Sequence, residues 1–300
     1  MRPLDRLTLG YLSVAAVVAA AGPGPVHDRG GLLVGFCGCA VLVLACAGLA
    51  RRRPTSRLAG CAGVGCALAL TLFLYPAIGR YALVLQGRFL DEEVNAWEAR
   101  VFGVHPNLAL DAFTHPALTE FMMATYFSFY LFAALPPLWL AFHSHAKEAE
   151  SYLFRQMLAV YLCYLGFLLV PLQGPAYSLQ DQFEPPSLTG YSMTELQTYI
   201  MTRDPAGACF PSAHVATSWA GFLAMRRILP AKVSLFFLPL VLCITVSVVY
   251  NRYHYLSDAL AGIAVALLAH FLATAFDSRP LFPASFPYRS SHRGHLRKMP

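Results

Sequence analysis

The stretch "CFPSAHVATSWAGFLAMRRIL", residues 209–229, decides how this chain is read. It opens with a proline, a serine and a histidine, continues as an apolar run, and ends on two arginines. About 20 mostly apolar residues cross a bilayer as one helix. Polar side chains at the start of such a helix ask for a chemical reason, and cations at its end ask for a topological one.

Working outward, seven further apolar runs fall at 7–22, 31–50, 58–78, 117–142, 154–172, 231–250 and 258–276. The composition agrees: 57% of the residues are hydrophobic and 13% charged, against about 25% charged in soluble domains. The expected fold class is all-α, a polytopic membrane helix bundle of about eight transmembrane helices with a six-helix core. Pro136 and Pro137 predict a kink in the fourth run.

Residues 1–78 hold the first three helices. Residues 79–116, with "RFLDEEVNAWEARVFG" at 88–103, predict an amphipathic segment along the membrane surface. Residues 117–276 form the catalytic core, interrupted by an active-site loop at 173–210 rich in Pro, Gly, Ser and Thr. Residues 277–300 read as a disordered, basic cytoplasmic tail. The first run, with Arg2 and Arg6 before it and "AAAG" closing it, also fits a signal peptide.

With eight helices, both termini share a side with the loops after the second, fourth and sixth. Sixteen of the 22 lysines and arginines fall on that side, Arg155 among them, and six on the other. The positive side faces the cytoplasm. The net charge of +6 is thereby explained by topology. No basic face with interleaved aromatics stands clear of the apolar runs, which excludes nucleic acid as a partner. Seven of the eight cysteines lie within apolar runs, and Cys209 reads as a packing residue. There is no disulfide framework and no redox motif.

The same count puts a second stretch, "YNRYHYLSDALAG" at 250–262, on the non-cytoplasmic side with the start of the 211–229 run. His214, His254 and Asp258 then share one membrane face. Pro211 suits a first helical turn, and the free N–H groups around Ser212 suit an anion. His254 and Asp258 are four apart, one turn on one helix face, so the carboxylate can fix the tautomer of the imidazole. Arg252 and Arg203 are candidate phosphate cations. Gly174, Pro175 and Tyr177 either shape a phosphate loop or make a plain turn. This set suits phosphoryl transfer: His254 attacks phosphorus, His214 protonates the leaving oxygen, and Asp258 stabilises the His254 cation. Neither a metal nor a cofactor is required. Taken singly, each residue has a plainer reading: Ser212 and Asp258 as helix caps, His254 as an interfacial anchor, His214 as a satisfied bundle polar group.

At "FPSAH" and "HYLSDALAG" the chain resembles the type 2 phosphatidic acid phosphatase superfamily of integral membrane lipid phosphatases. The resemblance covers residues 117–276. In that family a P-S-G-H motif supplies the acid histidine and a later H-x-x-x-D the nucleophile and its aspartate. It therefore implies the same roles for His214, His254 and Asp258. The family's K-x6-R-P motif is absent, its P-S-G-H glycine is Ala213, and Val248 stands where an arginine is usual. With Gly174–Pro175, "FPSAH" and "FGVHP" at 102–106, the chain looks more like the inositol phosphorylceramide synthase-like branch.

The expected activity is a membrane lipid phosphatase acting on a phosphomonoester or diphosphate. Its partners are a lipid phosphate and the bilayer. The alternatives are a phosphotransferase to an alcohol acceptor, and a transporter or lipid-binding protein that keeps the fold without the chemistry. A metal-dependent hydrolase lacks its H-E-x-x-H motif here. The expected location is a bacterial inner membrane, with a periplasmic active site and cytoplasmic termini.

Overall fold

The computed structural model describes residues 1–275 apart from 54, 55 and 144; the basic tail expected over 277–300 lies outside them. Every regular element among the described residues is helical. In chain order these are α1 Pro3–Ala21, α2 Arg29–Arg52, α3 Arg57–Ile78, α4 Asp91–Phe102, α5 Pro106–Ala109, α6 Pro116–Phe142, α7 Ala146–Leu169, α8 Pro175–Ser178, α9 Ser192–Met201, α10 Ala213–Ile228, α11 Ala231–Leu235, α12 Leu238–Tyr250 and α13 Leu256–Ala275.

Among the described residues, seven helices are long and apolar enough to cross a membrane: α1, α2, α3, α6, α7, the α11–α12 pair and α13. The remaining apolar run, the sixth in chain order, becomes α10, which has 16 residues and so a length of about 24 Å. It is shorter than the hydrocarbon core of about 30 Å. It also lies at the centre, packed on α7 and α13, with residues buried all round it.

α7 and α10 run antiparallel. A side chain at Gly166, near the end of α7, would strike Pro211. One at Gly221, late in α10, would meet the Tyr152 hydroxyl at 2.6 Å. α3 packs on both α6 and α7, and α10 on α6, α7, α12 and α13, so these six helices form one bundle. α1 lies on α7, where Tyr11 stacks on Tyr161 at 4.4 Å and Thr8 bonds the same hydroxyl at 3.1 Å. The first apolar run is thus an element of the bundle.

α6 runs as one helix with Pro136 and Pro137 inside it. One boundary differs from that read in the sequence. α7 begins at Ala146, eight residues early, because Ala, Lys and Glu extend it as a polar first turn. Arg155, counted above as a loop cation, is therefore inside α7 and buried, with Nη1 donating to the Ser151 carbonyl at 3.0 Å and hydroxyl at 2.6 Å. The positive-side count does not depend on it.

The segment 173–210 carries two short helices, α8 and α9, and a 3₁₀ turn at Gln180–Gln182. Glu120 of α6 anchors the start of α9, accepting from the Tyr191, Met193 and Thr194 amides at 2.7–3.1 Å. α4 packs the other way round from an ordinary amphipathic helix. Its buried residues are Asp91 and Glu98, while Trp97, Val101 and Phe102 face outward.

Candidate active site

α10 begins at Ala213, so Ser212 is its N-cap, accepting from the Val215 amide at 3.4 Å, and Pro211 precedes the helix. His214 is the second helical residue. Its ring lies 4.5 Å from Tyr126, 4.4 Å from Phe129 and 6.1 Å from His254, and its Nε2 is buried without a hydrogen bond. The histidines from the two stretches therefore do meet.

α13 begins at Leu256, so His254 stands just before the helix. The chain reaches it through Arg252, whose φ of 63° is left-handed. The Tyr253 and His254 amides both turn back to the Val248 carbonyl, at 3.2 and 3.0 Å. Asn107, buried in α5, donates Nδ2 to the Val249 and His254 carbonyls, each at 3.0 Å. The expected contact between His254 and Asp258 is present: Nδ1 lies 3.3 Å from Oδ2. It joins a turn residue to the first helical turn instead of joining two residues of one helix. Oδ2 also accepts the Tyr255 amide at 3.0 Å.

Cys209 is a member of this cluster, which its reading as a packing residue missed. Its thiol donates to Asp258 Oδ2 at 2.9 Å and lies 3.5 Å from His254 Nδ1. Burial and then the Asp258 carboxylate push the thiol well above its ordinary range, so it stays a proton donor. The two elements are locked by the backbone as well. The Ser212 amide donates to the Asp258 carbonyl at 3.0 Å, and Gly262 lets α13 approach α10 so closely that a Cβ there would sit 2.7 Å from the Ser212 carbonyl.

Gly174 has φ 95°, and a side chain there would meet the Tyr253 carbonyl at 3.0 Å. Only glycine suits that backbone and that approach. Pro175 starts α8 and is buried. The loop is fastened by Asp91 of α4, which accepts the Gln173 and Gly174 amides and the Tyr255 hydroxyl, all at 2.9 Å. Glu98 accepts the Ser257 amide at 2.6 Å. Burial raises both carboxyl groups above their ordinary range. Neither was singled out in the sequence, where they sit in what reads as a solvated acidic run.

The two arginines stand elsewhere. Arg252 donates to Asp111 Oδ1 at 2.8 Å and to the Pro185 and Pro186 carbonyls at 2.9 and 3.1 Å, with its guanidinium 3.9 Å above the Phe183 ring. Arg203 lies 3.8 Å above Tyr199 and bonds the Tyr199 carbonyl. Neither lines the cavity of about 150 Å³ into which His254 opens.

That cavity is lined by Tyr75, Tyr126, Gln173, Tyr177, Asp204, Cys209, Tyr253 and His254 among others, with no lysine or arginine among the described residues. Of Gly174, Pro175 and Tyr177, it is Tyr177 that reaches it. Asp204 accepts from the Tyr75 hydroxyl at 3.3 Å; burial raises its pKa, and the Tyr75 bond and the charge of His254 offset this in part. The chemistry available is one imidazole with a fixed tautomer, a second imidazole in reach, and a wall of hydroxyls with one carboxyl. A larger cavity of about 380 Å³ lies at the other end of the bundle, among Arg2, Asp5, Arg51, Lys147 and Glu150, and holds no histidine.

Comparison with known families matches residues 92–272 to the PAP2 superfamily. No curated protein and no solved structure matches the chain. The match spans more than half the sequence and contains both histidines, Asp258, Cys209 and Glu98 of α4, and by it this chain belongs to the PAP2 superfamily, whose members are generally phosphatases and phosphotransferases.

Proposed function

We propose that this protein breaks a phosphoester of a membrane lipid through a phosphohistidine on His254, at the non-cytoplasmic end of the bundle. The observation that carries this is the fixed imidazole: Asp258 holds Nδ1 at 3.3 Å, and His254 lines the cavity. Its Nε2 lone pair is then the free nucleophile. Nε2 bonds to phosphorus, the bond to the leaving oxygen breaks, and His214 supplies that oxygen with its proton. Water then attacks the phosphohistidine, His214 takes the water proton, and phosphate leaves. Asp258 balances the imidazolium charge. Ala213 offers its amide at the start of α10 to the phosphoryl oxygens, while the Ser212 amide is held by the Asp258 carbonyl. Lipids enter sideways between helices, with the headgroup in the cavity.

Water is the acceptor in this reading. A second reading, transfer to an alcohol, is favoured by the cavity wall. A phosphomonoester dianion calls for cations, whereas a singly charged phosphodiester and a polyol fit hydroxyls and a carboxyl such as Asp204.

The test is phosphate release from a panel of lipid phosphates and diphosphates in detergent with EDTA present. The wild type is expected to turn over and His254→Ala to lose roughly 10³-fold or more. Silence of the wild type on every substrate would reject hydrolysis. Adding diacylglycerol, ceramide or inositol then tests for a transferred headgroup, and silence there too would leave the fold without the chemistry.

A further inference from the structure

We propose that Cys209, His254 and Asp258 form a binding site for one thiophilic divalent cation of the zinc class, and that occupancy blocks the nucleophile. The ligand set stands on geometry alone; only the effect on turnover rests on the function proposed above.

The three ligand atoms already form the face of a tetrahedron. Sγ lies 3.5 Å from Nδ1 and 2.9 Å from Oδ2, and Nδ1 lies 3.3 Å from Oδ2. Zinc bonds of about 2.3 Å to sulfur and about 2.0 Å to nitrogen and oxygen give tetrahedral edges of roughly 3.5 Å between sulfur and the other two and roughly 3.3 Å between nitrogen and oxygen. Two edges match. The third is short by roughly 0.6 Å, so Cys209 Sγ and Asp258 Oδ2 move apart by that much when the ion replaces the thiol proton between them.

Charge and access agree with shape. A divalent cation with one thiolate and one carboxylate is neutral, which suits residues buried this deeply. Asp258 Oδ1 is buried and receives no hydrogen bond, an anionic atom that a nearby cation would compensate. Cys209 and His254 both line the cavity, which offers a route in and room for water as the fourth ligand.

The proton balance explains the block. Binding releases the Cys209 proton to solvent. The ion takes the Nδ1 lone pair, so the single ring proton of neutral His254 moves to Nε2. The lone pair that attacks phosphorus is then a N–H bond. Catalysis and inhibition by the ion then compete for His254 and Asp258.

Cobalt(II) is the probe, added to the full-length protein in detergent. The expected result is one thiolate-to-cobalt charge-transfer band that saturates at one ion per chain and is displaced by zinc. Cys209→Ser should abolish the band, and Asp258→Asn should weaken cobalt binding more than about 10-fold. Cys46→Ser should leave it intact, since Cys46 neighbours Cys66 and is the obvious competing thiol. Absence of the band in the wild type, or its persistence in Cys209→Ser of unchanged thermal unfolding, overturns the site. If the band forms and phosphate release continues with zinc bound, the site stands and His254 is not the nucleophile.

Discussion

The start of α13 and the helix α4 hold the same site in different ways. From His254 to Asp258, five consecutive residues provide the imidazole, its carboxylate partner and the amide that completes the carboxylate. In α4 the support comes from Asp91 and Glu98, seven residues apart on a helix whose aromatic residues face outward. Asp91 grips the turn at Gly174 and the Tyr255 hydroxyl, and Glu98 grips the amide of Ser257. The first region is chemistry fixed by local sequence. The second is position fixed by tertiary contact. α4 turns its acidic face into the protein and leaves Trp97, Val101 and Phe102 on its outer face.

The comparison breaks most visibly if the two regions fail alike. His254→Ala removes the attacking atom and leaves the fold in place, so its expected signature is the large loss of turnover given above with thermal unfolding nearly unchanged. His214→Ala should cost roughly 10²- to 10⁴-fold as a general acid. Arg252→Ala should do the reverse. It strands Asp111 and two loop carbonyls, and loss of one partner of a buried pair costs about 3–5 kcal/mol, discounted here because Asp111 keeps the Glu184 amide at 2.9 Å. A fall in thermal stability with the cation-free cavity otherwise intact is the expected outcome. Normal stability with lost substrate affinity would make Arg252 a phosphate ligand after all.

Asp91→Ala lies between these extremes. Three donors, two amides and a hydroxyl, lose one acceptor, each worth about 1 kcal/mol or more when left buried. The variant should lose both stability and turnover, and the two should move together across Asp91→Asn and Asp91→Ala. Turnover lost without any change in stability would make Asp91 a chemical group and not a support. Gly262→Ala tests the other contact, the approach of α13 to Ser212. Its Cβ at 2.7 Å from a carbonyl oxygen cannot be relieved by a side-chain rotation, so a loss of about 1–3 kcal/mol is expected, with turnover reduced because His214 moves relative to Asp258.

The same contrast explains what the sequence made legible. The apolar runs predict the helices because lipid exposes no alternative for the backbone, and the motif residues cluster because each acts on its near neighbour. His254–Asp258 and the polar start at Ser212 and His214 could be read directly. Cys209, Asp91, Glu98, Asn107 and Asp204 could not. Each lies in a segment whose composition has a sufficient plain explanation, and each takes its role from a partner between 49 and 164 residues away. Arg252 and Arg203 failed in the opposite sense: proximity to the motif suggested a phosphate, but a positive-φ turn and a neighbouring tyrosine ring direct their side chains elsewhere.

Arg203→Ala is the smallest expected effect and the sharpest on charge. The guanidinium rests on the tyrosine four residues before it at the end of α9, an exposed arrangement; substitutions of that kind fall within about 0.5 kcal/mol. KM and thermal unfolding should both stay as they are. A charged hydrogen bond to phosphate is instead worth about 1.5–3 kcal/mol, which would raise KM by roughly 10- to 150-fold. A rise of that size would mean that Arg203 leaves Tyr199 to meet substrate. The cavity would then acquire its cation on binding, and the argument for a singly charged headgroup drawn from the cavity wall would fall with it.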